Sequence, residues 1–177
     1  LTPEQVGIQT LPAGSEGLIT VLAWLAPGSH PHRRGSILGL TAAHTPFHLY
    51  RSVLEGICLT MADHADAVEA GLGLAGTAPL IVSGGGSRSD LMLQIAADVF
   101  DRPVLRMEQP DAAGLGAAIC AAVGHGWFNT WEEAVSAMVR PDRRAEPGDA
   151  VSRYRSVRRR HAAARESLDE LYRRLPD

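Results

Sequence analysis

Residues 80–94, Leu-Ile-Val-Ser-Gly-Gly-Gly-Ser-Arg-Ser-Asp-Leu-Met-Leu-Gln, contain an apolar run, three glycines and the beginning of a helix. The apolar run predicts a buried strand over 80–83, the glycines a turn over 84–86, and the following residues a helix over 90–100. Glycines between a strand and a helix let the backbone touch a flat or anionic ligand, because no Cβ keeps the ligand away. A tight turn without a ligand fits the same residues.

The segments on either side continue an alternation of strands and helices. Upstream, a nearly continuous apolar run indicates a strand, and Thr45-Pro46 is typical of the start of a long amphipathic helix. Downstream, Thr130 and Glu133 form a capping-box pattern that begins another helix. This alternation predicts an α/β fold. The predicted strands are 18–25, 36–40 and 103–106, and the predicted helices are 2–6, 45–71, 112–123, 130–140 and 149–174.

The glycine turn does not fit the dinucleotide-binding fingerprint, because no third glycine follows Gly84 and Gly86 at the required spacing. A methyltransferase-type glycine loop stays possible on this segment alone. The acidic residue expected at the end of the next strand of such a protein is absent from Val104–Met107. The turn therefore argues against a nicotinamide site and leaves a methyltransferase open.

Composition excludes several classes of protein. The chain has 177 residues, of which 45% are hydrophobic and 21% charged, the balance of a globular domain. A net charge of -3 gives no general attraction to nucleic acid or anionic membranes. All 17 basic residues are arginine, so no lysine can serve a Walker A loop, a protein-kinase ATP site or a Schiff base.

Two stretches resemble signatures of the FGGY carbohydrate kinases. The first is Gly35–Leu40, followed after seven residues by His48–Glu55, and it resembles the family's second sequence signature. The second is the segment 80–94, which is similar to the family's adenosine motif, together with Ala113–Ala118. Order and spacing agree with the family from about Gly14 to the last helix.

The resemblance implies a fold and a place within it. The fold would be an α/β ribonuclease-H-like lobe of the actin-like ATPase superfamily, with a mixed sheet flanked by helices. Residues 1–177 would form a single C-terminal nucleotide-binding lobe, with 149–175 as its C-terminal helix, and the N-terminal sugar-binding and catalytic lobe would be absent. ATP and a sugar would bind in the cleft between the two lobes.

The resemblance also assigns site residues, position by position. Gly84, Gly85 and Gly86 would lie along the adenosine and the α-phosphate. Ser89 would make a polar contact with adenine. The helix from Ala112 would pack closely behind the nucleotide. The residues expected to support the site are Ser87, Gly114 and Gly116.

The groups that carry the chemistry of these kinases are missing from the chain. The catalytic aspartate, most sugar contacts and the phosphate loops belong to other parts of the family's sequence, so we expect no catalytic residue and no metal ligand here. ATP and Mg²⁺ would be the cofactors, with the magnesium ligands outside this chain, and the isolated chain would be inactive. The loop Pro27–Arg34 departs from the family's Gly-Glu-Arg-x-Pro turn, so the sugar or polyol is not predicted.

Other polar residues have simpler interpretations. Four histidines lack a cysteine or glutamate that would complete a zinc site, and four aspartates are expected to be solvated or helix-end charges. Cys58 and Cys120, among apolar neighbours, predict small core residues in a reducing, cytoplasmic setting. The histidines are His30, His32, His44 and His48, and the aspartates are Asp63, Asp66, Asp98 and Asp101.

The last predicted helix combines an apolar stripe with positive charge. From Asp149 onward the chain has eight arginines and five acidic residues, a net charge of +3. Without interleaved aromatic residues this predicts a solvated outer face rather than a nucleic-acid site, and the stripe would pack on its own lobe. We expect neither nucleic acid nor membrane as a partner. The alternative to a kinase lobe is a non-catalytic module that forms a homodimer.

Overall fold

A computed structural model of the chain describes residues 7–8, 10–26, 28–74 and 76–175. The helix start expected at 2–6, and Pro27 in the loop after the first strand, lie outside these ranges. The strands are β1 (Ile19–Val21), β2 (Ser36–Leu38), β3 (Leu80–Val82), β4 (Val104–Met107) and β5 (Pro141–Ala145). The main helices are α1 (Pro46–Leu72), α2 (Asp90–Phe100), α3 (Ala112–Gly124), α4 (Trp131–Met138) and α5 (Val151–Arg174).

The strands of the described residues form two sheets. β1 and β2 are an antiparallel pair in which Thr20 lies opposite Ile37. In the second sheet β4 is central, parallel to β3 and antiparallel to β5, so that Leu105 lies opposite both Ile81 and Arg144. The mixed sheet and its flanking helices confirm the predicted α/β fold.

Three strand predictions need correction. The apolar run 18–25 contributes only the three-residue β1, and Leu25 is 94% exposed. β3 is an edge strand rather than a buried one, and Ile81 is 66% exposed. β5 escaped prediction because its sequence, Pro-Asp-Arg-Arg-Ala, has no apolar alternation and all but its last residue are exposed. An apolar pattern identifies a strand, but it does not say what covers the strand.

Helix α1 follows its predicted bounds closely. Thr45 caps its start, and Nδ1 of His48 accepts hydrogen bonds from the backbone N–H of Thr45 (3.1 Å) and from its hydroxyl (2.9 Å). Gly73 ends the helix with a φ of 66°, the left-handed conformation that favours glycine. β1, α2 and α5 all pack against α1, which makes it the axis of the fold.

The core lies between α1, α2, α5 and the second sheet. Ala97 on α2 and Val104 on β4 are completely buried, and Cys58 on α1 is 1% exposed. Burial raises the pKa of the Cys58 thiol to about 12, and the charge of Glu55 adds to the effect. Cys58 is therefore the small core residue that its neighbours predict.

The apolar stripe of α5 packs on the lobe along most of its length, as predicted. Its last two members do not, since Leu171 is 48% and Leu175 is 51% exposed. The buried members are Tyr154, Val157, His161 and Leu168. Helix α5 therefore contributes buried residues through its first five turns.

A buried polar cluster joins the turn at Gly14 and Ser15 to α1 and α5. Glu55 is 2% exposed, and its Oε1 accepts hydrogen bonds from the backbone N–H of Gly14 (2.9 Å), Nε of Arg51 (3.0 Å) and the hydroxyl of Tyr154 (2.9 Å). Its Oε2 accepts from the hydroxyl of Ser15 at 2.8 Å. The cluster fixes the turn in which Ser15 has a φ of 44°. We call its five residues the Glu55 junction.

Two side chains differ from their predicted exposure. Cys120 is exposed, because α3 buries only Ile119 and Ala122 and turns the rest of its surface away from the core. Asp98 is 6% exposed rather than solvated, and its Oδ1 accepts from the backbone N–H of Gly148 at 2.6 Å. Asp98 thereby anchors the loop that precedes α5.

Candidate functional site

The glycine turn after β3 has a backbone that only glycine adopts readily. Gly84 has φ 85° and ψ −175°, a region essentially restricted to glycine. Residues Gly85–Arg88 then form a short 3₁₀ turn. Ser87, which is 5% exposed, closes the turn by donating to the carbonyl oxygen of Gly84 from its backbone N–H (3.2 Å) and its hydroxyl (2.7 Å). Ser87 thus stabilises the turn through two hydrogen bonds to the same carbonyl oxygen.

The turn forms one wall of an open cleft of about 500 Å³, and the start of α3 forms the other. The backbone N–H of Gly84 donates to the carbonyl oxygen of Pro110 at 2.8 Å, which fixes the two walls to each other. A Cβ on Gly84 or Gly85 would meet no atom within 4 Å among the described residues. The lining residues are Ser83, Gly84, Gly85, Arg88, Pro110, Asp111, Ala112 and Ala113. We call this space the glycine cleft.

Two of the residues predicted for the site lie outside the glycine cleft. A Cβ on Gly86 would lie 3.0 Å from Sδ of Met92, so this glycine faces the neighbouring helix. The hydroxyl of Ser89 caps α2 by accepting from the backbone N–H of Met92 at 3.3 Å. The structure therefore brings Gly84 and Gly85 to the cleft and gives Gly86 and Ser89 positions beside it.

The two glycines of α3 also differ from each other. Asp111 caps the helix, and its Oδ1 accepts from the backbone N–H of Gly114 at 3.0 Å. A Cβ on Gly114 would lie 2.6 Å from Oδ2 of Asp111, so this position accommodates the cap. Apart from the nearby backbone of α3 itself, no atom of the described residues lies within 4 Å of a Cβ on Gly116, so α3 leaves open space at this position.

Arg106 on β4 supports the turn from behind. Its Nη1 donates to the carbonyl oxygens of Ser87 (3.3 Å) and Arg88 (3.4 Å) and to Asp90 (2.9 Å), and its Nε donates to Asp142 (2.6 Å). The hydrogen bond to Asp142, followed by that to Asp90, raises the pKa of the Arg106 guanidinium above its ordinary value. Arg106 therefore ties the turn to α2 and β5.

Arg88 and Asp111 are the charged residues of the glycine cleft, and the sequence analysis did not single them out. The Arg88 side chain makes no hydrogen bond or ion pair with another described residue, whereas Asp111 is engaged as the cap of α3. Arg88 lies within the motif that drew attention to the turn, and a Pro-Asp pair before a helix is a recognisable cap. Their convergence on one cleft required the fold.

The edge strand β3 borders a second, apolar space of about 470 Å³, which we call the β3 groove. Met61 of α1, Ile81 of β3 and Phe100 of α2 are among its walls. Met61 is 47% and Ile81 is 66% exposed. A continuous apolar surface of this kind is typical of a site that another polypeptide covers.

The described residues contain no cluster of three or more His, Cys, Asp or Glu side chains that could hold a metal ion. His44 and His48 instead accept hydrogen bonds from the starts of a turn and a helix. Of the described helices, none combines the length and the apolarity needed to cross a membrane. The glycine cleft can therefore bind a ligand through backbone groups, Arg88 and Asp111, and it does not gather the carboxylates that a divalent cation requires.

A family model matches most of the region that contains these features. The model for the FGGY family of carbohydrate kinases, C-terminal domain, covers residues 16–125. An uncharacterized sugar kinase of Escherichia coli is 40% identical over 130 residues, which are 73% of this chain and 26% of that protein. The chain thus spans about a quarter of the length of this relative.

Solved structures agree with the chain over nearly its whole length. The xylulose kinase from Rhodospirillum rubrum has a TM-score of 0.80 and 31% identity, and the match covers 97% of this chain and 34% of that one. The Plasmodium falciparum glycerol kinase solved with ADP has a TM-score of 0.75 and 22% identity, and the match covers 93% and 34%. The second likeness concerns the fold alone.

Proposed function

The chain belongs to the FGGY family of carbohydrate kinases, in its C-terminal domain, and we propose that it is the nucleotide-binding lobe of an ATP-dependent sugar or polyol kinase. Its fold is that of the actin-like ATPases. In this proposal residues 1–177 act as one lobe, in which α5 is the final helix. ATP metabolism of this kind would be a cytoplasmic activity.

The observation that carries the proposal is the glycine cleft. Backbone without a Cβ at Gly84 and Gly85 would lie along the adenosine and the α-phosphate of the nucleotide. The guanidinium of Arg88, which has no partner among the described residues, would meet a phosphate, and the free carboxylate oxygen of Asp111 would accept from a ribose hydroxyl.

Other predicted residues would act through the shape of the cleft. Ser87 holds the carbonyl oxygen of Gly84, Ser89 begins α2, and Gly114 leaves space for the Asp111 cap. Gly86 packs against Met92 and would position the turn rather than contact the base. Gly116 would lie further along α3, on the side away from the capping aspartate.

Phosphoryl transfer needs a proton acceptor at the sugar hydroxyl and a metal that neutralises the phosphates. The described residues do not fit a magnesium site, since no acidic cluster faces the glycine cleft. We therefore assign the metal ligands, the proton acceptor and most sugar contacts to the rest of a whole kinase. The 177-residue chain would bind nucleotide without transferring phosphate.

A titration of the ¹⁵N-labelled chain with ADP tests the proposal. We expect saturable shifts of the amide signals of Ser83–Arg88 and Asp111–Ala113, with an affinity on the order of millimolar for a nucleotide site without the opposing lobe of a whole kinase. Adenosine and pyrophosphate, titrated separately, would divide the shifts between the base and phosphate ends. Absence of saturable shifts at these amides up to about 20 mM ADP would contradict the proposal.

A coupled assay with ATP, Mg²⁺ and xylulose or glycerol tests the expected inactivity. We expect no ADP formation above the rate without enzyme, because the proposal assigns the proton acceptor to the rest of a whole kinase and the described residues contain no cluster that could hold a metal ion. Turnover that stays with the chain through purification, and that Gly85→Leu abolishes, would show that the chain itself holds the missing groups.

A second candidate function is an interaction module, and the β3 groove is the observation that favours it. Two copies could bury Ile81 and Met61 against each other along the unpaired edges of β3. Light scattering over a range of concentrations, with and without ADP, separates the candidates. Dimers that form without any response to ADP support the module, and a monomer that responds to ADP supports the kinase lobe.

A further inference from the structure

A cavity of about 250 Å³ lies between the end of β1, the middle of α1 and the second half of α5, away from the glycine cleft. Its walls combine apolar side chains such as Val21 and Leu168 with polar groups from α5 and from the loop after β1. No residue lines both spaces. We call it the α5 cavity.

His161 gives the α5 cavity a polar group without a partner. Its side chain lines the cavity, is 1% exposed, and has no hydrogen bond at either ring nitrogen among the described residues. The backbone of Thr20 acts to raise the pKa of His161, but no hydrogen bond of normal geometry joins Thr20 to the His161 ring. Burial, helped by the charge of Arg165, lowers the pKa of His161, so the ring is neutral near pH 7 and offers one N–H donor.

The charges around the cavity are predominantly positive. Three guanidinium groups line it, and Asp169 is the single carboxylate among the described lining residues. The negative charge of Asp169 is already compensated, because its carboxylate accepts from Arg33 at 2.6 Å and from Arg173 at 2.7 Å. The hydrogen bonds from Arg33 and His32, together with the charge of Arg173, hold the pKa of Asp169 well below its ordinary range. A ligand in the cavity would therefore meet more guanidinium groups than carboxylates, although Arg33 and Arg165 are themselves ion-paired with Asp169 and Asp63.

Arg165 stands one helical turn from His161, so both donors can face the same end of a ligand. The guanidinium of Arg165 is held by Asp63 at 3.0 Å, which also pairs with Arg158 at 2.9 Å. This arrangement orients Arg165 and leaves several of its N–H groups for a second acceptor. Leu168 continues the same face of the helix with an apolar surface.

We propose that the α5 cavity binds a small organic anion, namely a short-chain carboxylate of about four to six carbon atoms, with its charged end against Arg165 and His161 and its alkyl chain on Leu168 and Val21. The size follows from the cavity volume, and the class follows from a neutral donor and guanidinium groups above an apolar floor. The site is independent of the nucleotide cleft.

Butyrate is the probe, and ¹H–¹³C spectra of the histidine rings are the readout. We expect the ring signals of His161 and His64, which both line the cavity, to shift saturably with butyrate in the millimolar range. 1-Butanol, which has the same chain without the charge, should bind at least about ten-fold more weakly. Ring signals of His161 and His64 that stay unchanged at about 50 mM butyrate would overturn the proposal. Equal affinities for 1-butanol and butyrate would overturn it as well.

Two variants test the binding end without disturbing the core. Arg165→Met removes the guanidinium that would hold the carboxylate, so it should weaken butyrate binding at least about five-fold. The variant should still fold, because Asp63 keeps Arg158 as a partner. Arg159→Met, on the exposed face of α5, should leave butyrate binding unchanged. Leu25→Glu, at a rim position that is 94% exposed, should repel the anion, and Leu25→Gln should not. Equal affinity of Leu25→Glu and Leu25→Gln would contradict the site even if Arg165→Met failed to fold.

Discussion

The Glu55 junction and the glycine cleft each include residues from one of the two stretches that resemble kinase signatures, yet they use their polar groups in opposite ways. At the junction a carboxylate that is 2% exposed accepts four hydrogen bonds from Gly14, Ser15, Arg51 and Tyr154. In the cleft the backbone of Gly85 is exposed, and no atom of the described residues would lie within 4 Å of a Cβ there. A completed polar network stabilises a fold, whereas an open one keeps room for a ligand.

Glu55→Gln should have the largest effect on stability. The substitution keeps the shape of the side chain but leaves Arg51 buried without the carboxylate that neutralises its charge, and breaking a buried pair in this way costs about 3–5 kcal/mol. Urea unfolding followed by circular dichroism measures the loss.

Glu170→Gln is the matched control, because Glu170 and Arg174 have the same four-residue spacing as Arg51 and Glu55 but lie on the surface. We expect the control to lose less than about 1 kcal/mol. Equal losses for the two variants would show that the junction is not a special support of the fold.

Gly84→Ala should have the next largest effect, because its φ of 85° and ψ of −175° are unfavourable for a residue with a Cβ. We expect a loss of about 1–3 kcal/mol in the free energy of unfolding, together with altered amide signals in the turn. Gly85→Ala should cost much less, since its φ is not in the left-handed region and its Cβ would meet no atom within 4 Å among the described residues. If both substitutions cost the same, the strain assigned to Gly84 is wrong.

Arg106→Met should have a smaller effect on stability and a specific effect on the turn. Its loss removes the donors to Ser87, Arg88 and Asp90, so hydrogen exchange of the amides in the turn should accelerate. Because the ion pairs are partly exposed, the global loss should be about 1 kcal/mol. Arg143→Met, on the neighbouring strand and 53% exposed, is the control, and equal exchange in both variants would argue against the support.

The order of the elements and the glycine turn could be predicted from apolar runs, caps and glycines, since these signals are local. Ile81 and Cys120 were assigned to buried environments and are exposed, because periodicity indicates which residues suit a core and not what packs on them. β5 was missed because an edge strand needs only backbone partners, and its Asp-Arg-Arg sequence carries no apolar signal.

Within the candidate site, the sequence predicted the glycine turn and the helix that begins at Ala112, but not the charged residues Arg88 and Asp111. Gly84 and Gly85 lie in a motif that can be read locally, and the structure puts both at the cleft. Asp111 joins them because β3 and β4 run parallel and bring the loop after β4 beside the glycine turn. Ser89 has the expected position in the motif, but its hydroxyl caps α2 by accepting from the backbone N–H of Met92. Only the local hydrogen-bond geometry shows this.

The central claim is that the glycine cleft exists for a nucleotide and that the open position beside Gly85 contributes little to the fold. Gly85→Leu places a side chain in the cleft where no atom of the described residues lies within 4 Å of a Cβ. Gly71→Leu makes the same change at the end of α1, where the described residues leave equally open space. ADP affinity and the urea midpoint, measured on both proteins, test the claim directly. We predict unchanged midpoints for both, and an ADP affinity at least about ten-fold lower for Gly85→Leu alone. An unchanged ADP affinity in a folded Gly85→Leu protein would contradict the account.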